Sequence, residues 1–322
     1  MNDLKICVIG GGKWGFNHIR TLFSLNVEVG CVDSNEKLLE ELKFKFPNLS
    51  CYNNINEGFE KDYDGYIIAT PPSSHTKLTK SVISIGKPVL VEKPLALSLD
   101  ECSEIKRQIK IHKGRLIVGH LLLFHPAIIK MKRLIDEGKI GNIQYMYSNR
   151  LNLGTVRSHE NVFWSFAPHD ISIFQFFSNS FPSKVLSIGA DILQKEIHDT
   201  TITYLKYPNN IQGHIYVSWL HPFKEHRLVI IGTKGTLHFD DSNQNKPLLF
   251  YEKDKSIDAN SLELKNEIPK KIKYDSTMPL ENELKYFFEV IKGKKIDKAS
   301  IDEGIDVIKI LEIASEAIGK EL

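Results

Sequence analysis

The apolar run Leu4-Lys5-Ile6-Cys7-Val8-Ile9 breaks at once into Gly10-Gly11-Gly12-Lys13-Trp14-Gly15, and an amphipathic stretch from Phe16 to Ser24 follows. The first segment reads as a buried strand and the last as a helix. The glycines at 10, 12 and 15 stand where a strand-to-helix turn around a dinucleotide needs them. The first permits the tight turn, the second lets the backbone approach a pyrophosphate, and the third lets helix and strand pack closely. The helix start supplies N–H groups and the positive end of the helix dipole to phosphates. The next strand, Val27 to Val32, leads into Asp33, an acidic residue about 20 residues on, where a carboxylate can accept hydrogen bonds from a ribose. It would repel a 2′-phosphate, so the pattern favours NAD over NADP. An aspartate that only caps the following helix through Ser34-Asn35-Glu36 fits the same residues.

The strand–helix unit repeats. Tyr63 to Thr70 reads as a strand, followed by Pro71-Pro72-Ser73-Ser74-His75 and a helix from Thr76 to Ile85. Val89 to Val91 is another strand. Ser98, with Glu101 three residues later, opens a helix running to about Lys113. Arg115 to Gly119 is a further strand. Strands alternating with helices at this spacing imply a doubly wound parallel sheet of the Rossmann type.

One corner of this half carries a charge where burial is expected. Glu92-Lys93-Pro94 follows directly on the apolar run Pro88-Val89-Leu90-Val91. Ligands of open α/β sheets bind outside the carboxyl ends of the strands. Lys93 therefore stands where a cofactor and a substrate would meet, and Pro94 holds it in an extended conformation. A structural ion pair with Glu92 is the alternative role.

From Ile143 the pattern changes. Strand-like runs cover Ile143 to Leu151, Val185 to Ala190, Thr200 to Lys206, Ile211 to Trp219, Arg227 to Ile231 and Thr236 to Asp240. Most alternate as a sheet with one covered face does. Helices are expected at Pro126 to Glu137, Asp170 to Phe177, Leu280 to Lys292 and Ile301 to Lys320. Asn243 to Asp275 reads as loops and an edge strand. Between the first strand and the Asp170 helix lies a stretch that contains Arg150, Asn152, Arg157, His159, Trp164 and His169. Arginine clamps phosphate oxygens bidentately, so this cluster suits a phosphorylated sugar. Either arginine alone fits a surface or interface salt bridge equally well. Trp14, Phe163 and Trp164 suit a core as well as a ligand.

Composition narrows the classes. A net charge of +2 and one short basic run, Lys270-Lys271-Ile272-Lys273, argue against a nucleic-acid partner. No apolar run of about 18 residues would span a membrane. The four cysteines, Cys7, Cys31, Cys51 and Cys102, are scattered without paired spacing. This suggests a reducing compartment. The N-terminal residues lack a signal-peptide pattern, so a cytoplasmic location is expected. His120 and His125 have no carboxylate or cysteine at ligand spacing, and no metal site is expected.

Taken together, these residues resemble the Gfo/Idh/MocA oxidoreductases. The resemblance is carried by Gly10 to Gly15, Ala69-Thr70-Pro71-Pro72 with His75, and Glu92-Lys93-Pro94-Leu95-Ala96. It continues through Gly141-Asn142-Ile143, Pro168-His169-Asp170 and Gly232-Thr233-Lys234-Gly235-Thr236. It implies an NAD-binding domain over residues 1–120. It also implies a substrate and oligomerisation domain over 121–322, α+β with a large open, mostly antiparallel sheet. The C-terminal helices would pack back on the first domain. The implied catalytic residues are Lys93 and His169. The implied cofactor contacts are Gly10, Gly12, Lys13, Trp14, Gly15, Asp33, Thr70, Pro71, His75, Glu92 and Lys93. His75 could instead cap its helix.

Many members carry an aspartate four residues before the histidine. Here that residue is Ser165, so a full Lys–Asp–His set is not expected, and Asp170 would point elsewhere on its helix. The segment around Arg150 to His169 resembles the branch that oxidises UDP-N-acetylglucosamine at carbon 3. This implies substrate contacts at Arg150, Asn152, Arg157, Trp164 and His169. In that chemistry His169 removes the alcohol proton and Lys93 stabilises the developing alkoxide. The 3-keto product would feed a PLP aminotransferase in surface-glycan (lipopolysaccharide) biosynthesis, and a homodimer or homotetramer is implied. The alternatives are a dehydrogenase of UDP-N-acetylglucosaminuronic acid or of a free sugar or polyol, and a non-catalytic NAD-bound sugar sensor.

Overall fold

A computed structural model of the chain describes residues 4–158, 160–253 and 268–318. His159, residues 254–267 of the expected loop region and Lys320 lie outside the described residues. The chain divides into two compact units. One comprises residues up to Phe124 with Thr277–Ile308; the other comprises His125–Ser276 with the chain from Lys309.

The first unit alternates strictly: β1 (Lys5–Ile9), α1 (Lys13–Ser24), β2 (Glu28–Val32), α2 (Glu36–Lys45), β3 (Ser50–Tyr52), α3 (Ile55–Phe59), β4 (Gly65–Ile68), α4 (His75–Ser84), β5 (Val89–Glu92), α5 (Leu99–His112) and β6 (Leu116–Gly119). All neighbouring strands pair in parallel, in the order β3-β2-β1-β4-β5-β6. This is the Rossmann order, and it reverses between β1 and β4, where ligands of such sheets bind. The central strands are short apolar runs covered on both faces: Ile6 to Ile9, Tyr66 to Ile68 and Val89 to Val91 are almost fully buried. Local signals set the ends. Ser98 accepts from the Glu101 amide at the start of α5, and Asn35 accepts from the Leu38 amide at the start of α2.

The second unit begins with α6 (Pro126–Asp136), β7 (Ile143–Leu153), α7 (Val162–Ser178), β8 (Lys184–Ala190), β9 (Thr200–Lys206) and β10 (Gln212–Ser218). It continues with β11 (Leu220–Gly232), β12 (Gly235–Asp240), β13 (Leu248–Glu252) and β14 (Lys270–Lys271). The sheet runs β14-β13-β12-β11-β7-β10-β9-β8 and is antiparallel except where β10 meets β7. α7 covers one face, with contacts to β7, β9 and β10. On the far side of β8 and β9, Leu186, Ile188 and Ile202 are each close to half exposed. α8 (Pro279–Ile291) returns to the first unit, and α9 (Ile301–Ile318) starts there.

Two boundaries differ from the sequence reading. β11 begins at Leu220, well before Arg227. α7 begins at Val162 rather than Asp170, because Asn161 caps it by accepting from the Trp164 amide. Pro168 therefore lies inside a helix, where it lacks an N–H donor and normally costs about 3 kcal/mol. Burial of Val162, Phe163, Ala167, Ile171, Phe174 and Phe177 along this helix outweighs that cost.

Candidate active site

The glycine turn fits a dinucleotide by its geometry. Gly10 has φ +98, in the left-handed region, and a Cβ there would sit 2.8 Å from the Thr70 methyl and 2.9 Å from the Ala69 carbonyl. Gly15 is buried against the Gly10 carbonyl. Gly12 differs, since a Cβ on it would meet nothing within 4 Å. Its backbone faces open space at the start of α1, which no side chain caps and which has no acidic residue in its first turn. Free amides, the dipole and an absent side chain together suit a pyrophosphate. Lys13 and Trp14 are exposed beside it. Asp33 accepts from the Gly11 amide at 2.7 Å with one oxygen and from the Asn35 amide at 2.9 Å with the other. The carboxylate thus both shapes the turn and retains lone pairs for a ribose.

Across the strand-order reversal, the Thr70 hydroxyl shares a hydrogen bond with Ser74 at 2.7 Å, and Pro71 leads into the turn Pro72–Ser74. His75 corrects one sequence expectation. It is fully buried, with Nδ1 2.8 Å from the Pro94 carbonyl and Nε2 2.9 Å from the Thr70 carbonyl. With both ring nitrogens directed at backbone, it does not present them to a cofactor. It ties the Thr70 loop to the lysine corner instead.

At that corner Lys93 is half-buried and its peptide bond to Pro94 is cis. Glu92 is buried. Its Oε1 lies 2.8 Å from His18 Nε2, and its Oε2 accepts from the Lys93 amide at 3.3 Å. His120, one residue beyond β6, is buried as well; burial, with the Lys93 charge nearby, pushes its imidazole down to about 4. Neither His18 nor His120 was singled out by the sequence as part of this corner. The available signal was position, since His120 directly follows β6 and His18 lies on the helix that follows the glycine turn.

In the second unit, β7 carries Arg150 and Asn152, and α7 carries Trp164, Ser165, His169 and Asp170. Arg150 is the second correction. Its Nε donates to Asp170 at 2.6 Å and its Nη2 at 3.0 Å, and the pair is almost fully enclosed, with side-chain exposures of 13% and 2%. Burial opposes the guanidinium charge and Asp170 more than restores it. The Ser148 hydroxyl also donates to Asp170. Arg150 is thus a fastener between β7 and α7 and not a phosphate clamp. Because Asp170 adjoins His169, the same fastener orients the histidine's turn of helix.

Arg157 is over half exposed, and among the described residues its guanidinium makes one long ion pair, 3.7 Å to Glu160. Asn152, Trp164 and His169 are half-buried. The Trp164 indole donates to Ser315 at 2.9 Å. Among the described residues there is no group of three or more metal-binding side chains, and no helix is long and apolar enough to cross a membrane.

Comparison with known proteins matches both parts of the chain. Residues 4–120 match the model of the oxidoreductase family with an NAD-binding Rossmann fold, and residues 128–238 match the GFO/IDH/MocA C-terminal domain. The NAD(+)-dependent scyllo-inositol 2-dehydrogenase of Bacillus subtilis is 24% identical over 80% of this chain and 80% of its own. The structure of UDP-N-acetylglucosamine 3-dehydrogenase from Acidithiobacillus ferrooxidans superposes with a TM-score of 0.84 at 19% identity, covering 99% of both chains. The WlbA dehydrogenase of Bordetella pertussis, in complex with NADH and UDP-GlcNAcA, gives 0.79 at 16% identity over 98% of this chain and 97% of its own. With both domain models matched in order, the chain belongs to the Gfo/Idh/MocA oxidoreductases, dehydrogenases built on an NAD-binding Rossmann fold.

Proposed function

We propose that this dehydrogenase oxidises the 3-hydroxyl of a UDP-linked N-acetyl amino sugar of the UDP-N-acetylglucosamine type. The observation that carries this reading is Arg157. It is an exposed guanidinium whose one ion pair among the described residues, to Glu160, is long at 3.7 Å, in the segment leading from Asn152 on β7 into the helix of His169. A diphosphate is the chemistry such a group recognises. When bound, the nicotinamide supplies the acceptor for the hydride. Gly10, Gly12, Gly15 and the start of α1 hold the pyrophosphate, with Lys13 and Trp14 at its edge and Asp33 on the ribose. Thr70, Pro71, Glu92 and Lys93 line the nicotinamide end. His169 accepts the hydroxyl proton, since imidazole titrates near neutral pH. Lys93 stabilises the negative charge that grows on that oxygen. Trp164 offers its ring face to the sugar while Ser315 holds its N–H.

Incubation with NAD and UDP-N-acetylglucosamine should produce the absorbance of reduced cofactor, with an aminotransferase and glutamate added to draw off the 3-keto product. Absence of turnover with every UDP-sugar would contradict the reading. A second reading is oxidation of a free polyol. It is favoured by the loss of Arg150 as a phosphate contact and by the likeness to an inositol dehydrogenase. Arg157→Ala separates them: it should raise KM for a UDP-sugar at least tenfold, about 1.4 kcal/mol, and leave a free polyol unaffected.

NAD is the proposed cofactor rather than NADP. Asp33→Asn removes the charge while keeping one acceptor oxygen. It should narrow the preference for NADH over NADPH on the order of tenfold, about 1.4 kcal/mol, read by fluorescence titration of both. An unchanged ratio would assign Asp33 to turn geometry alone. The half-exposed Leu186, Ile188 and Ile202 on the sheet support association of copies through that face.

A further inference from the structure

A second carboxyl group lies behind the lysine corner. Glu283, on α8, is completely buried, and among the described residues neither of its oxygens has a hydrogen-bond partner. α8 packs against α1 and against the turn Leu121–Phe124, and the Asn282 side chain donates to the Phe124 carbonyl at 3.2 Å. It thereby meets the helix that carries His18 and the turn that begins next to His120. Glu92 reaches the same region. Gly119, opposite it in the sheet, makes room for it, because a Cβ there would lie 3.1 Å from both Cα and Oε2 of Glu92.

An ionised carboxylate without a cation in such a place costs several kcal/mol, and a second carboxylate within electrostatic reach adds to the cost. Burial, reinforced by Glu92, holds the Glu283 carboxyl well above the usual range. Glu92, by contrast, is engaged by His18 and by the Lys93 amide. The other titratable groups on the surrounding elements are Lys13 and Arg20 on α1, His120 beside β6, and on α8 itself Glu281 with Lys285, Glu289 with Lys292, and Tyr286 with Asp297.

We propose that Glu283 is a positioning residue for Lys93: it stands as a neutral carboxylic acid in the region that Glu92 reaches, and its neutrality lets Glu92 stay fixed to His18 and to the Lys93 amide. Loss of the Glu283 proton would place a buried anion there and release Glu92 from the lysine corner. The inference relies on the cofactor role given to Lys93 above, but not on the identity of the sugar.

Three measurements on the full chain test it, using Glu283→Gln, which is isosteric with the neutral acid. First, the infrared spectrum of the wild type near neutral pH should show a protonated carboxyl band that Glu283→Gln lacks. Second, a carboxyl whose folded pKa is raised contributes stability that is complete below its unfolded pKa and is lost as pH rises towards the folded value. The unfolding constant of the wild type should therefore rise relative to Glu283→Gln by up to tenfold per pH unit above about pH 4.5. Third, NADH affinity of the wild type should weaken on the alkaline side, and Glu283→Gln should lack that limb. An absent infrared band, or a variant less stable than the wild type at neutral pH, would overturn the protonation. Superimposable NADH profiles would overturn the positioning role. The first two readouts need neither cofactor nor substrate, so their failure is distinct from failure of the UDP-sugar reading.

Discussion

Replacing Lys93 by methionine should lower kcat by about 10²–10³-fold, the range for removing one donor that meets charge formed only in the transition state. Methionine keeps the length and apolar stem of the side chain and deletes only the ammonium. The loss should fall on kcat and on kcat/KM together, since the charge that Lys93 stabilises is absent from the ground state. Lys93 is half-buried at the end of β5, and its backbone is held from both sides: Glu92 accepts from its amide, and His75 bonds to the carbonyl of Pro94. The backbone therefore stays in place when the ammonium is removed, and the melting temperature should change little. A Lys93→Met enzyme that turned over within a few-fold of the wild type would exclude this role and would restore the reading of the chain as a cofactor-bound sensor.

The second large effect concerns stability. Arg150→Ala should destabilise the protein by about 3–5 kcal/mol, because it leaves the Asp170 carboxylate buried with, among the described residues, the Ser148 hydroxyl as its remaining side-chain donor. The loss would exceed what truncating a surface arginine produces, and denaturant unfolding measures it directly. Arg150→Met combined with Asp170→Leu removes both charges and keeps the volume. That pair should recover most of the loss, as exchanges of buried ion pairs for apolar side chains often do. Recovery of stability need not bring back activity, because Asp170 also fixes the turn of α7 that presents His169. A single Arg150→Ala variant as stable as the wild type, with impaired sugar binding, would instead return Arg150 to the substrate.

The parts of the fold written in short stretches of sequence were legible. The Gly10 to Gly15 turn, the Ser98 cap and the alternation of short apolar runs with helical segments each depend on neighbours a few residues apart. They led to the parallel, doubly wound sheet of the first unit. The second sheet was legible as alternating strands, though not in its order, because pairing of β7 with β10 and β11 is not encoded by either strand alone. The start of α7 was missed because Pro168 reads as a stop. The cap at Asn161 and the burial of an apolar face override it. Arg150 could not be assigned from sequence for a related reason. An arginine on an alternating strand looks the same whether it meets a phosphate or a carboxylate twenty residues away in sequence. Glu283 did leave a trace: on α8 it lies at helical spacing from Phe287 and Val290, a charge on the buried face. What that charge meets is decided by tertiary packing of α8 against α1 and the turn Leu121–Phe124.

The central claim is that a hydride leaves carbon 3 of a UDP-linked amino sugar. It is tested most directly with UDP-N-acetylglucosamine deuterated only at carbon 3, incubated with the enzyme and NAD, with the reduced cofactor analysed by mass spectrometry. Reduced cofactor carrying one deuterium is the expected result. Reduced cofactor without deuterium would place the oxidation at another carbon, and no reduction at all would contradict the claim that this sugar class is the substrate.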